Sequence, residues 1–170
     1  MGHGSPEIMV ACNGIIAHRT LKCKPNMLIT RRLEFDSGHR IPNHKSQCRH
    51  LHGHRYALEV TISGKIVETE GASDQGMVMD YSDVKAIAKS EIVDLWDHAF
   101  LAYRNDHDVL NFLKSIPGHK TVVLDAPPTA ENLALAAFEI LDAAYAKAGL
   151  RLERVRLFET PNNWADAVRA

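Results

Sequence analysis

The sequence predicts a single α+β domain whose elements run strand, strand, helix, helix, strand, strand, and three observations predict it. Residues 52–66 alternate apolar and polar positions with a period of two. Two later stretches carry apolar stripes at helical spacing behind capping residues, and residues 151–168 return to strand pattern on either side of a Pro-Asn-Asn turn.

Taken in order, residues 1–26 mix Gly, Pro and Asn with scattered apolar positions at no steady period. They predict a disordered extension ahead of one domain over residues 27–170. The first strand opens at Met27, where Leu28, Thr30, Arg32 and Glu34 alternate with Ile29, Arg31, Leu33 and Phe35. In the second strand His52, His54, Tyr56, Leu58, Val60 and Ile62 share one face, and Gly53, Arg55, Ala57, Glu59, Thr61 and Ser63 share the other. Residues 70–76 read as a loop, with Met77–Met79 as a short strand continuation. Asp80 or Ser82 caps a first helix with the stripe Val84, Ile87, Ala88, Ile92, Leu95 and Trp96, ending near Asp97. A short helix is expected around Val109–Lys114, then a small strand or extended link at Thr121–Leu124 that Pro127 and Pro128 stop. Thr129 caps the second helix, whose stripe is Leu133, Ala137, Ile140, Leu141, Ala144, Tyr145 and Ala148, closed by Gly149. Strands over Arg151–Thr160 and Trp164–Val168 complete the chain, and Trp96 and Trp164 are expected in the core.

Lys and Arg total 20 against 21 Asp and Glu, a net charge of -1 that gives no electrostatic reason to expect nucleic acid or an anionic membrane as partner. No apolar run approaches the roughly 20 residues of a membrane helix. Cys12, Cys23 and Cys48 lack the spacing of a disulfide scaffold, which predicts a reducing compartment, the cytoplasm. Histidine is the unusual residue: His44, His50, His52 and His54 are crowded between positions 44 and 54. Because His52 and His54 lie two apart on a strand, both imidazoles face the same way and can converge on one cation. Nitrogens bound at about 2.0–2.1 Å to tetrahedral zinc stand roughly 3.3 Å apart, within reach of such neighbours. His39, where the first strand ends, can supply a third nitrogen and leave the fourth position open for substrate. Cys48, four residues before His52, can equally close the site as a fourth ligand, so spacing alone leaves structural and catalytic zinc both open.

Six motifs resemble the 6-pyruvoyltetrahydropterin synthase superfamily and occur in family order. They are FDSGHR at 35–40, CRHLHGHRY at 48–56, MVMDYSDVK at 77–85, LWDH at 95–98, PTAEN at 128–132 and FET at 158–160. The spacing Cys48-x-x-x-His52-Gly53-His54 is similar to the bacterial 6-carboxytetrahydropterin synthase branch, since the animal 6-pyruvoyl enzymes carry two more residues there. The resemblance implies the tunnelling fold, a four-stranded antiparallel sheet with two helices on one face. Three copies close a barrel and two barrels stack as a homohexamer. It implies Zn²⁺ on His39, His52 and His54, with Cys48 as a base beside the metal. Arg49, Lys45 and the ion would favour its reactive thiolate. The implied substrate is 7,8-dihydroneopterin triphosphate, with loss of triphosphate and acetaldehyde giving 6-carboxytetrahydropterin, an early compound of queuosine synthesis. Asp97 and His98 match an acid/base pair. Glu159 matches a carboxylate that grips the pterin amino and ring N–H edge. Thr129 and Glu131 match a segment near the same pocket, although helix capping accounts for them equally. Arg40, His44, Lys45 and Arg49 are candidate triphosphate contacts. Two competing readings are the 6-pyruvoyl reaction or a related side-chain cleavage, and a non-catalytic zinc-stabilised binding module.

Overall fold

The alternation of residues 27–64 builds a long antiparallel pair, and the computed structural model, which describes residues 26–170, shows how far it extends. Strand β1 (Met27–His39) pairs along its whole length with β2 (His52–Gly64), from Met27 opposite Gly64 to His39 opposite His52. The first strand therefore continues past Phe35 and carries His39 as its last residue. The expectation for residues 1–26 falls almost wholly outside the described residues.

The helical run behind this pair begins at α1 (Tyr81–Ala88), whose N-cap Asp80 accepts a hydrogen bond from the Ser82 N–H. It passes through a π-helical turn (Lys89–Val93) into α2 (Asp94–Trp96). The π turn shifts the stripe: Val84, Ala88, Ile92 and Trp96 are buried, while Leu95, expected inside, is exposed. Met77–Met79 forms no strand.

Two short strands then enlarge the expected four-stranded sheet. Strand β3 (Phe100–Tyr103) runs parallel to β1 at Gly38 and His39, and β4 (Thr121–Leu124) runs parallel to β3. Between them lies α3 (His107–Lys114). The long helix α4 (Ala130–Lys147) is capped by the Thr129 hydroxyl, and Gly149 beyond it takes a left-handed conformation, φ +74°. Strands β5 (Arg151–Thr160) and β6 (Asn163–Val168) complete a mixed sheet of order β4-β3-β1-β2-β5-β6. The six-stranded, mixed architecture corrects the expectation of four strands and two helices. A four-residue strand such as β3 is too short to show a period, and a polar approach hides it.

The β1, β2 and β5 residues Phe35, Tyr56, Leu58, Val60, Ile62, Leu152, Val155 and Leu157 meet Trp96, Leu133, Ala137, Leu141 and Tyr145 in one buried core. Each such aliphatic side chain contributes about 1.5–3 kcal/mol by leaving water. A bulge opposite Thr61 and Ile62 lets Leu152 and Val155 both reach this core despite their odd spacing. The opposite face of the sheet is polar, with Arg32 to Glu59, Arg55 to Asp36 and Arg156 to Asp166 paired across neighbouring strands. Trp164 belongs there, 48% exposed against Phe158, and Ile140 is likewise exposed on α4, so neither is core as expected.

Candidate metal centre

The strand register fixes the site. Because β1 and β2 pair His39 with His52, and His54 follows two positions on, three imidazoles meet at one end of the helix-covered face. Their ligand-capable nitrogens lie within 4.8 Å of one another, and Cys48 stands outside that group. His39 is fully buried. Its Nδ1–H donates to the Pro128 carbonyl at 2.7 Å, and the His52 Nδ1–H donates to the His50 carbonyl at 2.8 Å. Each of these bonds leaves the ring's Nε2 as a bare acceptor.

The two Nε2 atoms face one another at 3.1 Å, close to the separation two ligands of one tetrahedral ion require. The His54 Nε2 is buried with no hydrogen-bond partner among the described residues. Three lone pairs aimed into one space repel one another, and a cation relieves all three, so the donor set fits a metal such as zinc. Burial lowers the His39 pKa to about 4, against the opposing pull of its bond to Pro128, and burial lowers that of His54 as well. Neutral imidazole is the metal-binding form, and burial favours it.

Glu159 adjoins the triad. Its carboxylate lies 3.6 Å from His39 Nε2 and 4.0 Å from His54 Nε2. A second bulge explains its position: Phe158 pairs with Trp164 and Thr160 with Asn163, leaving Glu159 the extra residue of β5. Beneath the rings, the Tyr56 hydroxyl is buried without a partner among the described residues, and burial pushes its pKa up.

Two clefts flank His54. One, of about 370 Å³, runs from Glu159 past Phe158 to Arg32. The other, of about 570 Å³, runs past Gly53 and Gly38 to His98 and His119. Behind the second cleft's His98, the Asp97 carboxylate meets Nδ1 at 2.9 Å and accepts the Asp36 N–H through its other oxygen, also at 2.9 Å. The Asp36 bond is the leading cause that holds the Asp97 carboxyl below the usual range. Gly53 keeps the strands close here, since a Cβ on it would stand 2.9 Å from the Ser37 carbonyl oxygen.

The structure thus brings His39, His52, His54 and Glu159 together, with the Asp97–His98 pair across the second cleft. Cys48 lies half-buried in a 3₁₀ turn (Gln47–Arg49), its carbonyl accepting the Ile41 N–H at 2.8 Å. The Thr129 hydroxyl is committed to capping α4 and Glu131 is exposed in the first turn, and neither lines the clefts described. Arg40, expected as a phosphate contact, is instead paired with the buried carboxylate of Asp106 through two hydrogen bonds. Sequence reasoning missed Asp106, the Pro128 carbonyl and the Tyr56 hydroxyl. Only Tyr56 carried a signal, as the next same-face residue after His54.

A family profile described as 6-pyruvoyl tetrahydropterin synthase matches residues 28–170. A Rickettsia bellii protein named 6-carboxy-5,6,7,8-tetrahydropterin synthase is 39% identical over 134 residues, 78% of this chain and 94% of that one. A Haemophilus influenzae protein of the same name is 32% identical over 141 residues, 81% of this chain and 96% of its own. Among solved structures, the Caenorhabditis elegans 6-pyruvoyl tetrahydropterin synthase superposes with a TM-score of 0.60 at 25% identity, covering 86% of this chain and 97% of that one. A Wolinella succinogenes protein of uncharacterised function shares the fold at a TM-score of 0.71 and 21% identity, covering 86% and 100%.

Proposed function

The chain belongs to the 6-pyruvoyl tetrahydropterin synthase family, and on that premise we propose that it is a zinc-dependent 6-carboxytetrahydropterin synthase. The reaction takes 7,8-dihydroneopterin triphosphate and water to 6-carboxy-5,6,7,8-tetrahydropterin, acetaldehyde and triphosphate, in the cytoplasmic route to 7-deazapurines such as queuosine. The observation that carries this reading is the convergence of three imidazole nitrogens beside the Glu159 carboxylate, between two clefts. The relatives' names and the Cys48-to-His52 spacing support the choice of product.

A zinc ion on His39, His52 and His54 supplies Lewis acidity toward a hydroxyl of the substrate side chain. The chain's own groups do the rest. Glu159 accepts the amino and ring N–H edge of the pterin in the smaller cleft, where the Arg32 guanidinium and the Phe158 ring lie against each other at 5.0 Å. The side chain then extends past His54 toward His98, which exchanges a proton with a side-chain hydroxyl while Asp97 orients its ring. Cys48 removes a proton from the activated side chain as a thiolate. Thr129 and Glu131 act through the start of α4, where Pro128, just before the N-cap Thr129, holds His39 in its metal-binding tautomer.

A trimeric barrel, doubled to a hexamer, is part of the same proposal. Among the described residues, β1 pairs with a strand on the side away from β2 only at Gly38 and His39, with Asp36 bonded there to Asp97 and His98, and β6 closes the other end of the sheet with its outer edge unpaired. Long open edges of this kind call for a partner strand.

The test is incubation of zinc-loaded protein with 7,8-dihydroneopterin triphosphate. Acetaldehyde released with triphosphate supports the reading. A 6-pyruvoyl product without acetaldehyde moves the chain to the other reaction of its family, and no turnover at full zinc loading makes it a binding module.

A further inference from the structure

We propose that Lys120 is a positioning residue for the Asp97–His98 pair, a role that rests on the reading of His98 as the acid/base group. The turn carrying this pair is held in an unfavourable backbone state. His98 has φ +57°, a left-handed conformation that a side chain with a Cβ seldom adopts. Such a state persists only where the surroundings over-determine it.

One set of restraints comes from β1. The Asp36 carbonyl accepts the His98 N–H at 2.7 Å, the Asp97 carboxylate accepts the Asp36 N–H, and the Ala99 carbonyl accepts the Gly38 N–H at 2.9 Å. The Ser37 hydroxyl is within 3.0 Å of the Trp96 carbonyl and 2.8 Å of the Ala99 carbonyl. These bonds leave a deficit. In a continuing helix the Asp94 carbonyl would accept the His98 N–H, four residues on, but that N–H is turned to Asp36. The Asp97 carbonyl likewise has no following helical turn, because Leu101 is in β3.

Lys120 serves both carbonyls. Its Nζ donates to the Asp94 oxygen at 2.8 Å and to the Asp97 oxygen at 2.7 Å. An ammonium at the C-terminal end of a helix also complements the dipole there. The lysine is itself fixed, since its carbonyl accepts the Phe100 N–H at 3.0 Å and the next residue begins β4. The turn is therefore gripped from β1 on one side and from the approach to β4 on the other. Without Lys120 the turn is held from β1 alone, and the Asp97 carboxylate, still tied to the Asp36 N–H, shifts away from His98 Nδ1.

The experiment compares Lys120→Met, Lys120→Arg and His98→Ala in the zinc-loaded full chain, with a crystal structure of Lys120→Met. Expected for Lys120→Met is a fall in kcat of about tenfold or more, as for other small misplacements of catalytic groups. KM should stay within about twofold and zinc content should not change. Lys120→Arg, which keeps donors for both carbonyls, should restore most of kcat, and the crystal structure should show the Asp97–His98 contact broken. Wild-type kcat in Lys120→Met beside an inactive His98→Ala overturns the role of Lys120 alone. An active His98→Ala overturns the acid/base reading beneath it. In either case, an Asp97–His98 turn unchanged in the Lys120→Met crystal overturns the positioning claim independently of activity.

Discussion

Single side chains at this site are governed by what their second atom touches. His39 and His52 each spend Nδ1 on a backbone carbonyl, and that choice frees Nε2 for a metal. His52→Ala removes one of three ligands, so metal analysis should find most of the zinc lost; full retention would refute the assignment. Cys48 lies outside the cluster. Cys48→Ala should keep zinc and the folded state while turnover falls by about 10²-fold or more, the usual scale for a lost proton-transfer group. If it empties the metal site instead, the thiol is a ligand. Arg40 and Asp106 offer a pH test. The Arg40 hydrogen bond holds the Asp106 carboxyl below its usual range. A folded value below the unfolded one contributes stability above about pH 4 that is lost as pH falls through the folded value. Asp106→Asn should therefore lower stability at pH 7 by about 1–3 kcal/mol and flatten the acid side of a Tm-versus-pH curve. An unchanged acid limb would mean that the pair does not anchor the loop beginning at Arg40.

Elements with a sustained period were legible in the sequence, and elements without one were not. Strand β2 and helix α4 show unbroken patterns over many residues, and β5 was placed at its observed ends. The same alternation put His52 and His54 on one face, so the candidate metal-binding cluster could be read before the fold. In residues 100–124 the bounds of β4 were legible as a small strand or link, but β3 and the pairing of both strands were not, because each is four residues long and held by parallel neighbours far apart in the sequence. With them went the roles of Asp106 and Lys120, which depend on contacts 66 and 23 to 26 residues away. The π turn that exposes Leu95 also escapes a reading that assumes a constant helical period. Gly53 tests the element directly. Gly53→Ala sets a Cβ against the Ser37 carbonyl and should push β1 and β2 apart beside His52 and His54. Zinc affinity should fall by about tenfold or more, the scale of a disturbed ligand support; unchanged affinity would show that the strands can absorb the methyl group.

At the scale of the molecule, the sheet has one face closed by helices and another covered with paired charges, with the metal cluster at one end of the closed face. The edge of β1 between Met27 and Phe35, unpaired among the described residues, lies beside the Glu159 cleft, where Arg32 and Glu34 form part of the wall. A second copy pairing on that edge would complete the cleft, so assembly and substrate binding should be coupled. Light scattering should find trimers or hexamers, and a stable, fully active monomer would count against the barrel. The central claim, that three histidines hold a catalytic zinc with a free position, is tested most directly by anomalous diffraction across the zinc absorption edge from crystals of the purified protein. The account predicts one peak about 2.0–2.1 Å from the Nε2 atoms of His39, His52 and His54, with a water or substrate oxygen in the fourth position. A peak closed by the Cys48 Sγ at about 2.3 Å, or no peak between the three rings, would contradict it.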